Sequence, residues 1–200
     1  VSYPKWKRTL DCTGALFGLV LVAPLVPLIA FCIIIETRGP IIVKLERISE
    51  GRSIYVYKFR SMIQGAASMK KDLMHLNERN DGPFFKIKYD PRITRTGKVL
   101  RKFRIDEFPQ LWNVLKGELA LVGPRPHEPY EVAQYPKAYA HLPKARAGVT
   151  GYSQVNGSSS LTFMQELELD DWYLKNMTVW LDASVLLKTT SILFFDPTAV

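Results

Sequence analysis

"TGALFGLVLVAPLVPLIAFCIII", from Thr13 to Ile35, runs for 23 residues without a charge. About 20 apolar residues are enough to cross the hydrocarbon of a bilayer, whereas a soluble core helix of that length keeps a polar face. Lys5, Lys7 and Arg8 stand before the run, as cations do before the apolar part of a secretory signal. The run is longer than such a part, and no small-x-small cleavage pattern follows before Glu36. The segment is therefore expected to stay in the membrane.

Its course there depends on its middle. Pro24 and Pro27 each remove an amide donor and crowd the preceding turn. A sharp bend there leaves two arms, each too short to cross alone. Lys5, Lys7 and Arg8 flank one end, and Arg38, Lys44 and Arg47 flank the other, with Glu36 and Glu46 among them. Cationic flanks favour the cytoplasmic side. A helix that enters and returns satisfies both flanks; a kinked spanning helix is the competing reading.

The remaining chain suffices for one domain with a real core. The 200 residues carry 27 Lys+Arg against 19 Asp+Glu, a formal charge of +8. That surplus suits nucleic acid, anionic lipid or a phosphorylated substrate. Membrane burial of the N-terminal segment, and the lack of a recognisable reading helix or aromatic platform, argue against nucleic acid. Cys12 and Cys32 both lie in or beside the apolar run, so no disulfide framework or zinc spacing exists. His75, His127 and His141 are too scattered for a metal cluster.

After the turn at Gly39-Pro40, Ile41–Leu45 and Ser53–Phe59 read as two strands joined through Gly51-Arg52. They predict a small hairpin facing the membrane. Helices are expected over Ala66–Glu78, Lys98–Phe103, from Asp106 to Gly117, Thr162–Lys175 and Leu181–Phe195, with one irregular helix over 128–143. In the third of these, Asp106 is the expected N-cap, and Phe108, Leu111, Trp112 and Leu115 line the buried side. Leu186-Leu187 and Ile192–Phe195 offer apolar surface to a core or to the membrane interface. Gly148 to Ser160 reads as a glycine-rich loop.

Asp106 and Glu107 stand side by side among cations: Arg101, Lys102 and Arg104 precede them, Lys116 follows, and Arg125 lies in a turn stiffened by Pro124 and Pro126. An N-cap plus a first-turn acid facing the helix dipole is the plain structural reading. The surroundings favour chemistry. Carboxylates amid cations can hold a divalent metal that also touches phosphate, while arginines clamp the other phosphate oxygens. An aspartate can also attack phosphorus as a nucleophile. The residues thus reach phosphate chemistry or phosphate binding at a membrane surface, and they do not reach a substrate.

At these residues the chain resembles the bacterial sugar transferases, the monotopic phosphoglycosyl transferases, and among them the small members with little beyond the catalytic domain. Five motifs carry the resemblance behind the proline-broken helix: Tyr57-Lys58-Phe59-Arg60-Ser61-Met62, Asp90 to Gly97, the stretch holding Asp106-Glu107, Leu121 to Pro126, and Gly148-Val-Thr-Gly151 with Gln154-Val-Asn-Gly157. The resemblance implies an α+β fold. It would be a mostly helical monotopic membrane enzyme with a re-entrant helix over residues 1–38, a small hairpin and interfacial amphipathic helices. Residues 39–200 would form the catalytic domain, continuous with the helix.

The implied reaction moves a sugar 1-phosphate from a nucleotide diphosphate sugar, usually a UDP-sugar, to a polyprenyl phosphate such as undecaprenyl phosphate, releasing UMP. Its place is the cytoplasmic face of the bacterial inner membrane, among its phospholipids, ahead of downstream glycosyltransferases in exopolysaccharide or other glycoconjugate synthesis. By resemblance Asp106 is the nucleophile of a ping-pong route, Glu107 binds Mg²⁺ with Asp106, and Arg101 and Arg125 contact phosphate. Lys58 and Arg60 are candidate headgroup or phosphate contacts, and Tyr152 and Gln154 candidate donor contacts.

Three departures stand out. Ala23-Pro24 replaces the family's Ser-Pro at the bend, with Pro27 as a second break; Ala147 replaces a proline before Gly148; Ser158 replaces an arginine after Asn156-Gly157. None touches the carboxylate pair. The competing class is a non-catalytic monotopic scaffold or lipid-phosphate binder.

Overall fold

The computed structural model describes residues 3–157 and 160–195, so Ser158 lies outside the described residues. The apolar segment is helical in three pieces: α1 (Lys5–Val22), a 3-10 turn at Ala23–Leu25, and α2 (Val26–Glu36). The break falls where the prolines demand it. Pro24 lies in the 3-10 turn, and Pro27 occupies the first turn of α2, where its missing amide hydrogen costs no helical bond.

Next comes an antiparallel hairpin of β1 (Ile42–Ser49) and β2 (Arg52–Phe59), with Ile42 opposite Phe59 and Ser49 opposite Arg52. The first strand runs beyond Leu45, and the turn is Glu50-Gly51, both left-handed, rather than Gly51-Arg52. Ile54 and Val56 point from β2 into the main core.

The helix expected over Ala66–Glu78 is absent. Turns and two short 3-10 pieces replace it. Met74 and Leu76 stay exposed, and a helix so short gains little without a buried face. The stretch 128–143 likewise breaks into α5 (Pro129–Val132) and 3-10 turns at Lys137–Tyr139 and Leu142–Lys144. Pro136 and Pro143 interrupt it by removing amide donors.

The remaining elements are α3 (Arg95–Lys102), α4 (Gln110–Lys116), β3 (Ala120–Val122), β4 (Gly148–Thr150), α6 (Tyr152–Val155), α7 (Phe163–Lys175) and α8 (Val179–Phe195). The side chains of residues 193–195, expected to add apolar surface, lie outside the description. β3 and β4 pair in parallel, Ala120 with Gly148 and Val122 with Thr150, where the sequence suggested a loop. Gly148 is required by this pairing, because a β-carbon there would stand 2.2 Å from the amide nitrogen of Gly123. The main core gathers Ala15, Val56, Leu111, Val114, Leu119, Val122, Tyr173 and Val185. Trp112, expected inside, is 54% exposed on the outer side of α4.

Both ends of the apolar segment are fastened to this body. At the start of α1, Lys7 donates to Tyr173 Oη (2.9 Å) and pairs with Asp182, all three buried. Arg8 donates to the carbonyls of Val114 and Leu115 at the end of α4 (2.6 and 2.7 Å), and Asp11 accepts the amide of Leu121 (2.8 Å). At the end of α2, Glu36 accepts the amides of Arg95 and Thr96 at 2.6 and 2.8 Å, capping α3. The middle is different. Phe17, Val20, Leu21, Leu28, Phe31 and Ile35 are each 61–72% exposed, so protein covers neither arm's outer face. A helix crossing a bilayer puts its ends in different aqueous phases, and one small polar body cannot hold both. The arrangement is that of a monotopic, re-entrant helix.

Candidate active site

Asp106 and Glu107 sit in a 3-10 turn, Ile105–Glu107, between α3 and α4. Arg104, left-handed at φ 51°, reverses the chain into that turn. Asp106 is therefore not a helix N-cap; Pro109 holds that position for α4, and a proline has no side-chain acceptor to offer. Membrane helix and turn share one small apolar cluster. Ile105, the residue before the pair, packs on the cluster of Ile29 and Ile33 from α2 with Phe59 and Leu100. On the other side α4 and β3 lie against α1, whose Gly18 allows the approach of α4 and whose Gly14 allows that of β3. A β-carbon on Gly18 would stand 2.7 Å from Leu111 Cδ1, and one on Gly14 would stand 2.5 Å from Leu121 Cδ1. The carboxylates thus sit where the two arms of the apolar helix meet the body.

Lys58, from β2, donates to Glu107 Oε1 at 2.5 Å. Asp106 is 6% exposed, and no side-chain hydrogen bond ties its carboxylate among the described residues. Burial pushes the Asp106 carboxyl above its ordinary range, opposed by Lys58 and Arg101 and assisted by the Glu107 charge. For Glu107 burial pushes the same way, but Lys58, Arg125 and Arg104 outweigh it and hold the group below the usual carboxylate range. Two adjacent acids are thereby pushed apart in acidity. Arg101 is half-buried, and its Nε donates to Ser61 Oγ at 2.9 Å, which steadies it beside Asp106.

Arg125 stands in the Gly-Pro-Arg-Pro turn after β3. Its amide donates to Asp170 Oδ2 at 3.0 Å, while its side chain is 44% exposed and its Nε lies 3.9 Å from Glu166 Oε1. Glu166 also meets His127 Nε2 at 2.9 Å. The sequence reading missed these three. The available signal was the spacing: Glu166 and Asp170 are four apart on α7, at positions that bury Phe163, Leu167 and Tyr173. A carboxylate on an apolar face needs a partner.

Three other candidate contacts are engaged within the protein. Arg60 is buried and caps the end of α2, donating to the carbonyls of Arg38 and Thr37, both at 2.6 Å, which anchors the membrane helix. Tyr152 stacks on Trp172 with ring centroids 4.7 Å apart. Gln154 is buried, its Oε1 without a hydrogen-bond partner. Asp90 and Arg92 form a two-pronged pair at 2.6 and 2.9 Å that braces their own loop.

Among the described residues no group of three or more His, Cys, Asp or Glu side chains is set to hold a metal ion. A magnesium ion asks for less from the protein: one or two carboxylates, with phosphate and water oxygens completing its shell. Asp106, lacking a hydrogen bond, and the adjoining Glu107 fit that requirement.

The family model described as bacterial sugar transferase matches residues 2–196. The chain is 36% identical over 190 residues to the "UDP-galactose-lipid carrier transferase" of Erwinia amylovora, covering 93% of this chain and 40% of that protein. It is 39% identical to the "Galactosyl transferase CpsE" of Streptococcus agalactiae, covering 93% of this chain and 41% of that one. It therefore spans about two-fifths of those two relatives. With the "Exopolysaccharide production protein ExoY" of Rhizobium meliloti it shares 31% identity, over 92% of this chain and 83% of that protein. A match running nearly from end to end of the described chain makes it a member of the bacterial sugar transferase family.

Proposed function

We propose that this chain transfers a sugar 1-phosphate from a UDP-sugar to undecaprenyl phosphate, releasing UMP, at the cytoplasmic face of the bacterial inner membrane. The observation that carries this reading is the position of Asp106-Glu107, directly after Ile105 in the apolar cluster shared with α2, with Glu107 paired to Lys58. A soluble donor and a membrane-bound acceptor can meet only at that boundary. The relatives from Erwinia and Streptococcus, by their names, handle galactose; the sugar used by this chain is left to experiment.

In the proposed route an Asp106 carboxylate oxygen attacks the sugar-side phosphorus of the donor. The new oxygen–phosphorus bond forms as the bond to UMP breaks, and UMP departs with the electron pair. An oxygen of the lipid phosphate then attacks the same phosphorus, and the bond to Asp106 breaks, restoring the carboxylate. Lys58, Arg101 and Arg125 offset the charge gathering on the phosphoryl oxygens. Asp106 and Glu107 would hold Mg²⁺, which when bound neutralises charge on the donor diphosphate.

The test is UMP release by protein in nanodiscs with Mg²⁺, undecaprenyl phosphate and a panel of UDP-sugars, with Asp106→Asn alongside. Release with one sugar, lost in the variant, and radiolabelled phosphosugar retained on the wild-type protein when lipid is omitted, is the expected result. No release across a broad panel from folded protein would overturn it in favour of a lipid-phosphate-binding scaffold.

A further inference from the structure

The turn carrying Arg125 is held from beneath by one face of α7. Asp170 Oδ2 takes the Arg125 amide at 3.0 Å, and Glu166, one helical turn earlier, lies 3.9 Å from its Nε and 2.9 Å from His127 Nε2. Asp170 is 2% exposed, and its second oxygen, Oδ1, has only the neighbouring Ser153 hydroxyl beside it, outside regular hydrogen-bond geometry. Ser153 lies on α6, which packs on α7, and no other side chain or amide reaches that oxygen among the described residues. A buried carboxylate half-satisfied in this way is a poor structural element, because each unmade bond forfeits solvation without return. A serine or amide could hold the turn's amide at lower cost. What Asp170 fixes is the backbone beneath a side chain that is 44% exposed and whose charge is felt by Glu107.

We infer that Asp170 is a positioning residue for Arg125, fixing the backbone from which the guanidinium reaches the donor diphosphate. Glu166 limits the side chain's swing from the same helix face, with His127 holding Glu166 in turn. The assignment rests on the transfer reading only in taking the diphosphate as Arg125's ligand. It makes α7, distant in sequence from the carboxylate pair, part of the donor site.

The experiment measures equilibrium binding of UDP, and donor KM and kcat, for Asp170→Ala, Asp170→Asn, Arg125→Ala and the double variant Asp170→Ala/Arg125→Ala, all in nanodiscs with folding checked by thermal melting. Asp170→Ala should raise the UDP Kd and donor KM about tenfold, leaving the lipid-phosphate KM within about twofold, the size expected for a lost charge-assisted contact. Asp170→Asn, which keeps an acceptor for the amide, should recover part of the loss. In the Arg125→Ala background the Asp170 substitution should add nothing, since residues acting through one another are not additive. Additive losses, or a lowered melting temperature with unchanged UDP binding, would overturn the assignment. Asp106→Asn separates the two readings. If that variant still releases UMP, the transfer route fails whatever Asp170 does. If it is silent while Asp170→Asn and Asp170→Ala bind UDP as the wild type does, only the positioning role falls.

Discussion

Lys58 Nζ lies 2.5 Å from Glu107 Oε1, joining the end of the hairpin to the carboxylate pair. The same ammonium is the main influence holding Asp106 towards its charged form against burial. Replacing it by methionine leaves two adjoining carboxylates in a half-buried turn with one fewer cation. Lys58→Met is expected to lower the rate of UMP release about 10- to 100-fold, in the range of a lost charge-stabilising group. Lys58→Arg should retain more activity, because the charge survives although the geometry changes. Initial rates at saturating donor decide it; an unchanged rate in the methionine variant would remove Lys58 from the site.

The contact between Gly18 and Leu111 supports a second expectation. A side chain on Gly18 would enter space that Leu111 Cδ1 already fills, at 2.7 Å from the first added carbon. Gly18→Val should therefore push α1 away from α4 and lower stability by about 1–3 kcal/mol, the cost of overpacking a filled interface. Thermal melts in nanodiscs give the readout. Leu111→Ala placed in the same chain should restore part of the loss by vacating the space. If the double variant melts below both single variants, close packing of the helix on α4 is not what glycine provides.

Much of this was legible in the residues, for identifiable reasons. The membrane segment, the hairpin and the helices α3, α7 and α8 follow from apolar runs, strand-forming residues and caps such as Thr162, whose effects are local. The carboxylate pair was visible because two acids stood among many cations. What escaped detection depends on contacts between distant segments. Arg60 looked like a basic edge beside Lys58, yet it caps the end of α2, some twenty residues earlier. β3 and β4 are three residues each, too short to show a period, and they exist only because they pair. Trp112 sits at an apolar position of α4 whose outer side has no neighbour to cover it. Asp170 reads as one of two adjacent acids on a helix, and nothing local marks which of them turns inward.

Burial also makes Asp170 a determinant of stability. Desolvation pushes its carboxyl up to about 7, opposed by Ser153 and the Arg125 amide and assisted by the charge of Glu166, with His127 also facing it. In an unfolded chain the same group titrates near 4. Between those values the folded protein binds the proton more tightly than the unfolded one, so stability falls as pH rises from about 4 to about 7 and is level above. The full difference amounts to at most about 4 kcal/mol. Asp170→Asn removes this slope. Its melting temperature relative to the wild type should rise between pH 5 and pH 8, and a difference that stays flat would mean that Asp170 is ionised throughout.

The last expectation concerns the course of the apolar helix. Lys7 and Arg8 fasten one end to Asp182 and to the carbonyls of α4, and Glu36 fastens the other to the first amides of α3. A straight helix of the 32 residues from Lys5 to Glu36 would be about 48 Å long, well beyond the roughly 30 Å of bilayer hydrocarbon. The interruption at Ala23–Leu25 instead lets both ends rest on one body. Single cysteines introduced as Lys5→Cys or Arg38→Cys, with Cys12 and Cys32 changed to serine, should react with a membrane-impermeant maleimide from the same face of sealed vesicles. Labelling from opposite faces would mean that the helix crosses, and that the contacts of Lys7 and Glu36 cannot both form in the membrane.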